Sequence, residues 1–227
     1  MKRTLLAITL VLTAAAAASA QTAGRPAPPR PSEVADPQAG QQAQQTVAQK
    51  YFTDVVLLDQ EGRKVRFYTD VLRGKTVVIN AFFTTCTSVC PPMNRNMEKI
   101  QTALGDRVGK DVFLVSISVD PETDTPERLK EYAAKFHAGP GWLFLTGKKA
   151  NVDWALFKVG QYVETKDDHT TVIIVGNEAT GLWKKAFGMA KAAELVQIVE
   201  SVVNDKGDAK PADKGEARPN AAPAPKQ

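Results

Sequence analysis

The chain of 227 residues has only two cysteines, Cys86 and Cys90, which stand four positions apart in the run 84–94, TTCTSVCPPMN. Two soft sulfur donors at that spacing can form a disulfide that opens and closes, or they can bind one soft metal ion as thiolates. As a structural staple the pair would do little, because closing so short a loop removes little entropy from the unfolded chain. Oxidoreductases of the thioredoxin type use C-x-x-C. One more residue still permits a disulfide, and it widens the bite to suit two bonds to a single ion.

A metal site needs a third donor, and the chain offers two histidines. His137 follows EYAAKF at the end of an expected helix, where an imidazolium complements the dipole or caps the last carbonyls. His169, in TKDDHTTVIIVG, stands just before an expected central strand, at the end of the sheet that faces the cysteine loop. The competing reading for His169 is an ordinary polar loop residue. Two thiolates and one imidazole form a soft, low-coordinate set that suits Cu(I), and Cys and His also suit Cu(II). Zinc stays open as an ion that would keep a fourth position free. Two cysteines are too few for an iron–sulfur cluster. Met93 and Met97 are soft as well, but their helical spacing reads as core.

The elements that must position these groups follow from the hydrophobic pattern. DVVLLD and KVRFYT flank QEGR and predict a hairpin with Gly62 at the turn. KTVVINAFF is an apolar run of strand length, as expected for a strand covered on both faces. Met93, Met97, Ile100 and Leu104 share one face of a helix that Pro91 and Pro92 can start. DVFLVSISV is a second buried strand, and DTPERLKEYAAKF a helix opened by Pro126. GWLFLTG, a helix around NVDWALFKVG, the pair TTVIIVG and LWKKAF, and a last helix with Leu195, Ile198, Val199 and Val202 on one face complete the domain. The order predicts an α/β thioredoxin-like sandwich with an additional N-terminal β-hairpin. A flavodoxin-like doubly wound sheet is the alternative, disfavoured because TVIIV and LWKKAF read as an antiparallel pair. On this layout Cys86 and Cys90 lie between a central strand and the first turn of a helix, where unpaired N–H groups favour thiolates. Pro91 is expected to hold Cys90 in extended backbone.

Compartment and boundaries come from the flanks. Lys2 and Arg3, an apolar run and Ala18-Ser19-Ala20 predict a secretory signal peptide over 1–20, cleaved after Ala20, and a periplasmic location. An uncleaved membrane anchor is the alternative, for which the run is short and alanine-rich. Residues 21–50 and 204–227 are rich in Pro, Ala and polar residues and are expected to be a linker and a tail, leaving one domain over 51–203. The net charge of +4 resides in the flanks, because 51–203 holds 19 basic and 19 acidic residues. Such a domain has no electrostatic footprint for nucleic acid.

Three ordered segments, FFTTCTSVCPPMNRNMEKIQ, SISVDPETDTPERLKEYAAKF and DDHTTVIIVGNEATG, resemble the Sco/SenC proteins in their C-x-x-x-C-P, S-V-D-P-x-x-D-T-P and D-H signatures. The resemblance covers most of 51–203. It implies a thioredoxin-like fold and copper, as Cu(I) or Cu(II), bound by Cys86, Cys90 and His169. It also implies a metallochaperone that assists assembly of the dinuclear copper centre of cytochrome c oxidase. The implied acceptor is oxidase subunit II, with another periplasmic copper chaperone or a thiol reductant as a further partner, and the chain is expected to be monomeric. Asp120 matches the family's aspartate after the second central strand and is read as supporting the metal ligands or facing a partner, against an ordinary turn-forming Asp. Two departures stand out. Many relatives carry a membrane-spanning anchor, and relatives often place Pro after the first cysteine, where this chain has Thr87. The rival activity is thiol–disulfide reduction with Cys86 and Cys90 as the catalytic pair. A peroxidase ranks below both, since C-x-x-x-C is not the setting of a lone peroxidatic cysteine.

Overall fold

The structure is a computed structural model that describes residues 46–207 and Pro28. The expected signal peptide, most of the expected linker and the tail beyond 207 lie outside the described residues. The first described element is α1 (Val47–Phe52), which begins inside the segment 21–50 that composition assigns to a linker. Two local features hold it. The Thr46 hydroxyl caps it by accepting the Gln49 N–H at 3.1 Å, and Phe52 is buried with its ring 5.4 Å from that of Trp183.

The hairpin forms as expected from β1 (Val56–Leu58) and β2 (Lys64–Arg66), paired antiparallel. Gly62 takes a φ of 74° at the turn, and Asp59 Oδ1 accepts the N–H groups of Glu61 and Arg63. The second strand is shorter than the expected KVRFYT, because Phe67–Leu72 winds into a π-helical turn. Phe67 and Tyr68 are both buried, and adjacent residues of a strand point to opposite faces. Asp54 holds the turn by accepting the N–H and hydroxyl of Thr69 at 2.7 and 2.6 Å.

The main sheet contains β3 (Thr76–Phe82), β4 (Val112–Ser118), β5 (Trp142–Leu145), β6 (Val172–Asn177) and β7 (Leu182–Phe187), in the order β5-β4-β3-β6-β7. β3, β4 and β5 are parallel, joined through α2 (Cys90–Leu104) and α3 (Pro126–Ala134). After α4 (Lys149–Lys158), β6 enters antiparallel to β3 and β7 pairs antiparallel to β6. That final antiparallel pair, followed by α5 (Ala192–Val203), excludes the all-parallel flavodoxin-like arrangement and is thioredoxin-like. Right-handed crossovers place α2 and α3 on the same face. All seven residues of β3 are buried, as a strand covered on both faces requires.

α2 is set by its apolar face and by a polar chain in the core. Met93, Met97, Ile100 and Leu104 are buried, each contributing about 1.5–3 kcal/mol of apolar burial for a large side chain. On α5, Leu195, Val199 and Val202 are buried, and Ile198 packs against the core partly exposed. Trp142 Nε1 donates to Ser116 Oγ at 3.0 Å, and Ser116 Oγ donates to Asn80 Oδ1 at 2.7 Å. Asn80 Nδ2 donates to Asn94 Oδ1 at 2.9 Å, and Asn94 Nδ2 to the Tyr132 hydroxyl at 3.0 Å. A fully paired buried chain of this kind admits one register of β3, β4, α2 and α3. It fixes the rotation of α2, and hence the direction of Cys90, one turn before Asn94. Among the described residues no helix is long and apolar enough to cross a membrane.

Candidate metal centre

Strand direction gathers the functional side chains at one end of the sheet. Phe82 pairs with Ser118 and Asn80 with Ile173, so the loop after β3, the loop after β4 and the segment before β6 emerge together. Cys86 lies in the first of these, Cys90 opens α2, and His169 follows the 3-10 turn Lys166–Asp168. His169 Nε2 is 3.2 Å from Cys90 Sγ and 4.0 Å from Cys86 Sγ. The three donor atoms lie within 4.8 Å of one another, and both thiols are free. Among the described residues this is the only cluster of three or more such groups that could hold a metal ion.

Cys90 departs from the extended conformation expected of a residue before proline: it is the first residue of α2. The helix tolerates Pro91 and Pro92 because they occupy first-turn positions, whose N–H groups have no acceptor within the helix. The two thiols are electrostatically unlike. Burial opposes the Cys86 thiolate, but hydrogen bonds from the Cys90 thiol, the Cys90 and Ser88 backbone N–H groups and the Ser88 hydroxyl outweigh it, lowering the Cys86 pKa. The Cys90 N–H lies 3.4 Å from Cys86 Sγ. Burial, and then its hydrogen bond to Cys86, push the Cys90 thiol far up.

This asymmetry predicts the order of alkylation. With the pKa of Cys86 lowered, its thiolate fraction saturates at a lower pH than that of an unperturbed thiol, and its reaction with iodoacetamide levels off correspondingly early. Cys90 stays protonated and is modified only after unfolding. Peptide mapping after brief alkylation at neutral pH checks this, and prior labelling of Cys90 contradicts it.

His169 is held from both sides. Its Nδ1 donates to the Lys166 carbonyl at 2.8 Å, which leaves Nε2 directed at the thiols, and its ring meets Phe83 edge-on with centroids 5.1 Å apart. Lys166 in turn bonds Asp120 Oδ2 at 2.8 Å, tying the histidine turn to the end of β4. Burial opposes the Asp120 carboxylate, but Lys166 and Thr123 outweigh it and hold its pKa below the ordinary value. Asp120 therefore supports the histidine turn from outside the donor cluster.

Asp124 is the residue that sequence reasoning missed. It is fully buried, and its carboxyl accepts the Thr84 N–H at 3.1 Å, the Thr84 hydroxyl, and the Ser118 hydroxyl at 2.6 Å. It thus anchors the start of the cysteine loop to β4. One signal was available: Asp124 is the second aspartate of the S-V-D-P-x-x-D-T-P signature, and the structure shows that Thr125, not Asp124, caps α3 by accepting the Arg128 N–H. His137 lies away from the cluster. It stands beyond the end of α3 with a φ of 48°, and its Nδ1 pairs with Glu98 at 2.6 Å instead of capping the helix. Met93 and Met97 are fully buried on the core face of α2.

Residues 41–204 match the sequence pattern of the SCO1/SenC family. The chain belongs to that family. The SCO1 protein homolog of Bacillus subtilis is 38% identical over 90 residues, 39% of this chain. That match spans 45% of the Bacillus protein's length, under half of it. Among solved structures, ScoI of Bradyrhizobium japonicum with copper bound superposes with a TM-score of 0.54 at 28% identity, covering 65% of this chain and 96% of that one. BsSco, described with a disulfide switch and as one of the Sco family of cytochrome c oxidase assembly proteins, superposes with a TM-score of 0.54 at 27% identity, over 65% of this chain and 90% of that one. In this SCO1/SenC chain the paired cysteines and the distant histidine come together at the same end of a thioredoxin-like sheet.

Proposed function

We propose that this SCO1/SenC domain carries copper as cargo, held as Cu(I) or Cu(II) by Cys86, Cys90 and His169, and assists assembly of the dinuclear copper centre of cytochrome c oxidase. The observation that carries this reading is the convergence of two thiols and one imidazole nitrogen within 4.8 Å at the rim of the sheet. Their chemistry fits the ion, since two soft sulfurs and one imidazole suit a low-coordinate copper, whereas zinc would retain an open position. Copper binding must displace the proton held by Cys90, so loading releases protons. The ScoI relative with copper bound supports the choice of metal, and the description of BsSco supports the assembly role. Oxidase subunit II is the acceptor we infer. The charged start, apolar run and small residues at 1–20 support export to the periplasm, with cleavage after Ala20 releasing a freely diffusing chaperone. The copper-carrying unit is a monomer in this account.

A second reading, reduction of the acceptor's disulfide, is favoured by the unlike thiols. The Cys86 thiolate attacks one sulfur of the partner disulfide and releases a partner thiolate. Cys90, once deprotonated, attacks Cys86 Sγ and releases the second, so the partner gains two electrons and Cys86–Cys90 becomes the disulfide. A transfer assay separates the readings. The reduced chain, loaded with one equivalent of Cu(I), is mixed with the metal-free, reduced soluble domain of oxidase subunit II, and copper is measured on each after separation. Delivery predicts that copper leaves the parent for the acceptor. Copper retained on the carrier, together with reduction of an oxidised acceptor, would overturn delivery in favour of reduction.

A further inference from the structure

Beside the candidate metal centre, the outer face of α2 and the turn between β7 and α5 enclose a cleft of about 530 Å³ lined by Pro92, Arg95, Asn96, Lys99 and residues 189–192. The turn is fastened in place. Asn96 Nδ2 donates to the carbonyls of Gly188 and Ala190 at 2.8 and 3.0 Å, and the Gly188 N–H donates to Thr171 O at 2.6 Å. Only glycine fits at 188, because a Cβ there would lie 2.8 Å from Thr171 O and 3.0 Å from the Met93 side chain. Pro92 stands in the first turn of α2, the helix that Cys90 opens, and Thr171, which the Gly188 N–H bonds, is two residues from His169, so one wall of the cleft belongs to a segment that carries a donor and the other is fastened to a second such segment.

Its charge is one-sided in a domain whose 19 basic and 19 acidic residues balance as a whole. Arg95, Lys99 and Lys191 line it, and among the described residues no carboxylate does. Arg95 is 65% exposed and reaches Glu98 only at 4.0 Å, while Glu98 bonds His137 at 2.6 Å. Among the described residues Lys99 and Lys191 form no ion pair. Glu194, in the first turn of α5, is outside the lining. Met189 and Pro92 add apolar surface to the cleft, and Phe187, two residues before Met189, is 60% exposed. Lys99 and Lys191, together with an exposed Arg95 that pairs only at long range with Glu98, stand beside exposed apolar side chains and match an acidic segment with apolar residues, and charge complementarity of this kind steers encounter and register.

The geometry points to a docking site for an acidic, apolar-flanked segment of the protein that exchanges metal with this chain, its carboxylates meeting Arg95, Lys99 and Lys191 and its apolar side chains meeting Met189 and Pro92. The identity of the partner as a metal donor or acceptor rests on the proposed copper function; the binding itself does not.

The test is an NMR titration of the isotope-labelled, reduced, metal-free full chain with a synthetic decapeptide of Glu and Asp carrying two leucines. A second peptide with Lys in place of every acid and inorganic phosphate serve as comparators. The expected result is a set of shifts confined to 92–99 and 187–194 that weakens as salt rises. The combined variant Arg95→Glu, Lys99→Glu, Lys191→Glu should bind at least about tenfold more weakly while unfolding at the same temperature. Equal binding of the basic peptide, shifts scattered over the surface, or an unaffected triple variant would overturn the proposal. So would phosphate reproducing the same shifts at the same affinity, which would mark a small-anion site only. Cu(I) affinity measured on the same variant keeps the two claims apart: peptide binding lost with copper retained supports a separate docking surface, and both lost together overturns it.

Discussion

Replacing Cys90 with serine removes tight Cu(I) binding and leaves the fold in place. Cys90 has no exposed surface and points at His169 Nε2 from 3.2 Å, so the third donor is aligned on it. A serine hydroxyl is a hard donor that keeps its proton, and Cu(I) would be left with Cys86 and His169 alone. Loss of a partner outside the ligand set typically costs about 10–100-fold in metal affinity. Loss of a sulfur ligand is expected to exceed that, which is more than about 1.4–2.7 kcal/mol of binding. Unfolding stability should fall by no more than the roughly 0.5–3 kcal/mol of an ordinary substitution, because serine nearly matches the thiol in shape. Competition with a Cu(I) chelator reads the first quantity and denaturant unfolding the second. Unchanged copper affinity would contradict the assignment of Cys90 as a ligand.

Asp124→Ala is the substitution with the largest expected effect on the fold around the site. The carboxyl is the acceptor for the Thr84 N–H, the Thr84 hydroxyl and the Ser118 hydroxyl, in a place with no exposure. A buried polar group left without its partner costs about 1–3 kcal/mol. With several stranded at once, the midpoint of urea unfolding should fall by an amount equivalent to at least ~3 kcal/mol. Asp124→Asn separates anchoring from bulk stability. It keeps one acceptor oxygen but turns an NH2 group towards donors, so it should cost less stability while loosening the chain two residues before Cys86. Its Cu(I) affinity is expected to drop about 10–100-fold in a folded protein. An Asn variant with parental copper affinity would show that Asp124 serves the fold alone.

The parts of the molecule legible in the sequence are those governed by periodicity and by rare residue types. Met93, Met97, Ile100 and Leu104 announce the buried face of α2 because a helix repeats every three to four residues. The closeness of LWKKAF to TTVIIVG announces the β6–β7 pair because so short a connection permits only antiparallel return. With two cysteines and two histidines in the chain, the choice of histidine reduced to which one enters the sheet beside the cysteine loop. The structure brings His169 there and leaves His137 against Glu98.

What was not legible depends on contacts between distant segments or on single residues that outweigh their neighbours. Thr46 and Phe52 hold α1 in a stretch whose average composition is that of a linker. Two adjacent buried aromatic residues, Phe67 and Tyr68, end the second hairpin strand early. Asp124 and Lys166 bind partners 40 and 46 positions away, Thr84 and Asp120, and no local pattern records such pairings. The conformation of Cys90 shows the same limit. The bias of a residue before proline towards extended backbone yields to a helix start that accepts both prolines.

The central claim is that Cys86, Cys90 and His169 act as one copper site, and the most direct measurement is Cu(I) titration of the reduced chain under chelator competition, beside His169→Ala. The account predicts one tight Cu(I) per chain in the parent and an affinity at least about 100-fold weaker in the variant, whose fold is unchanged. Weak binding by the parent, or the same tight binding with His169 replaced, would contradict it and leave the cysteines to disulfide exchange.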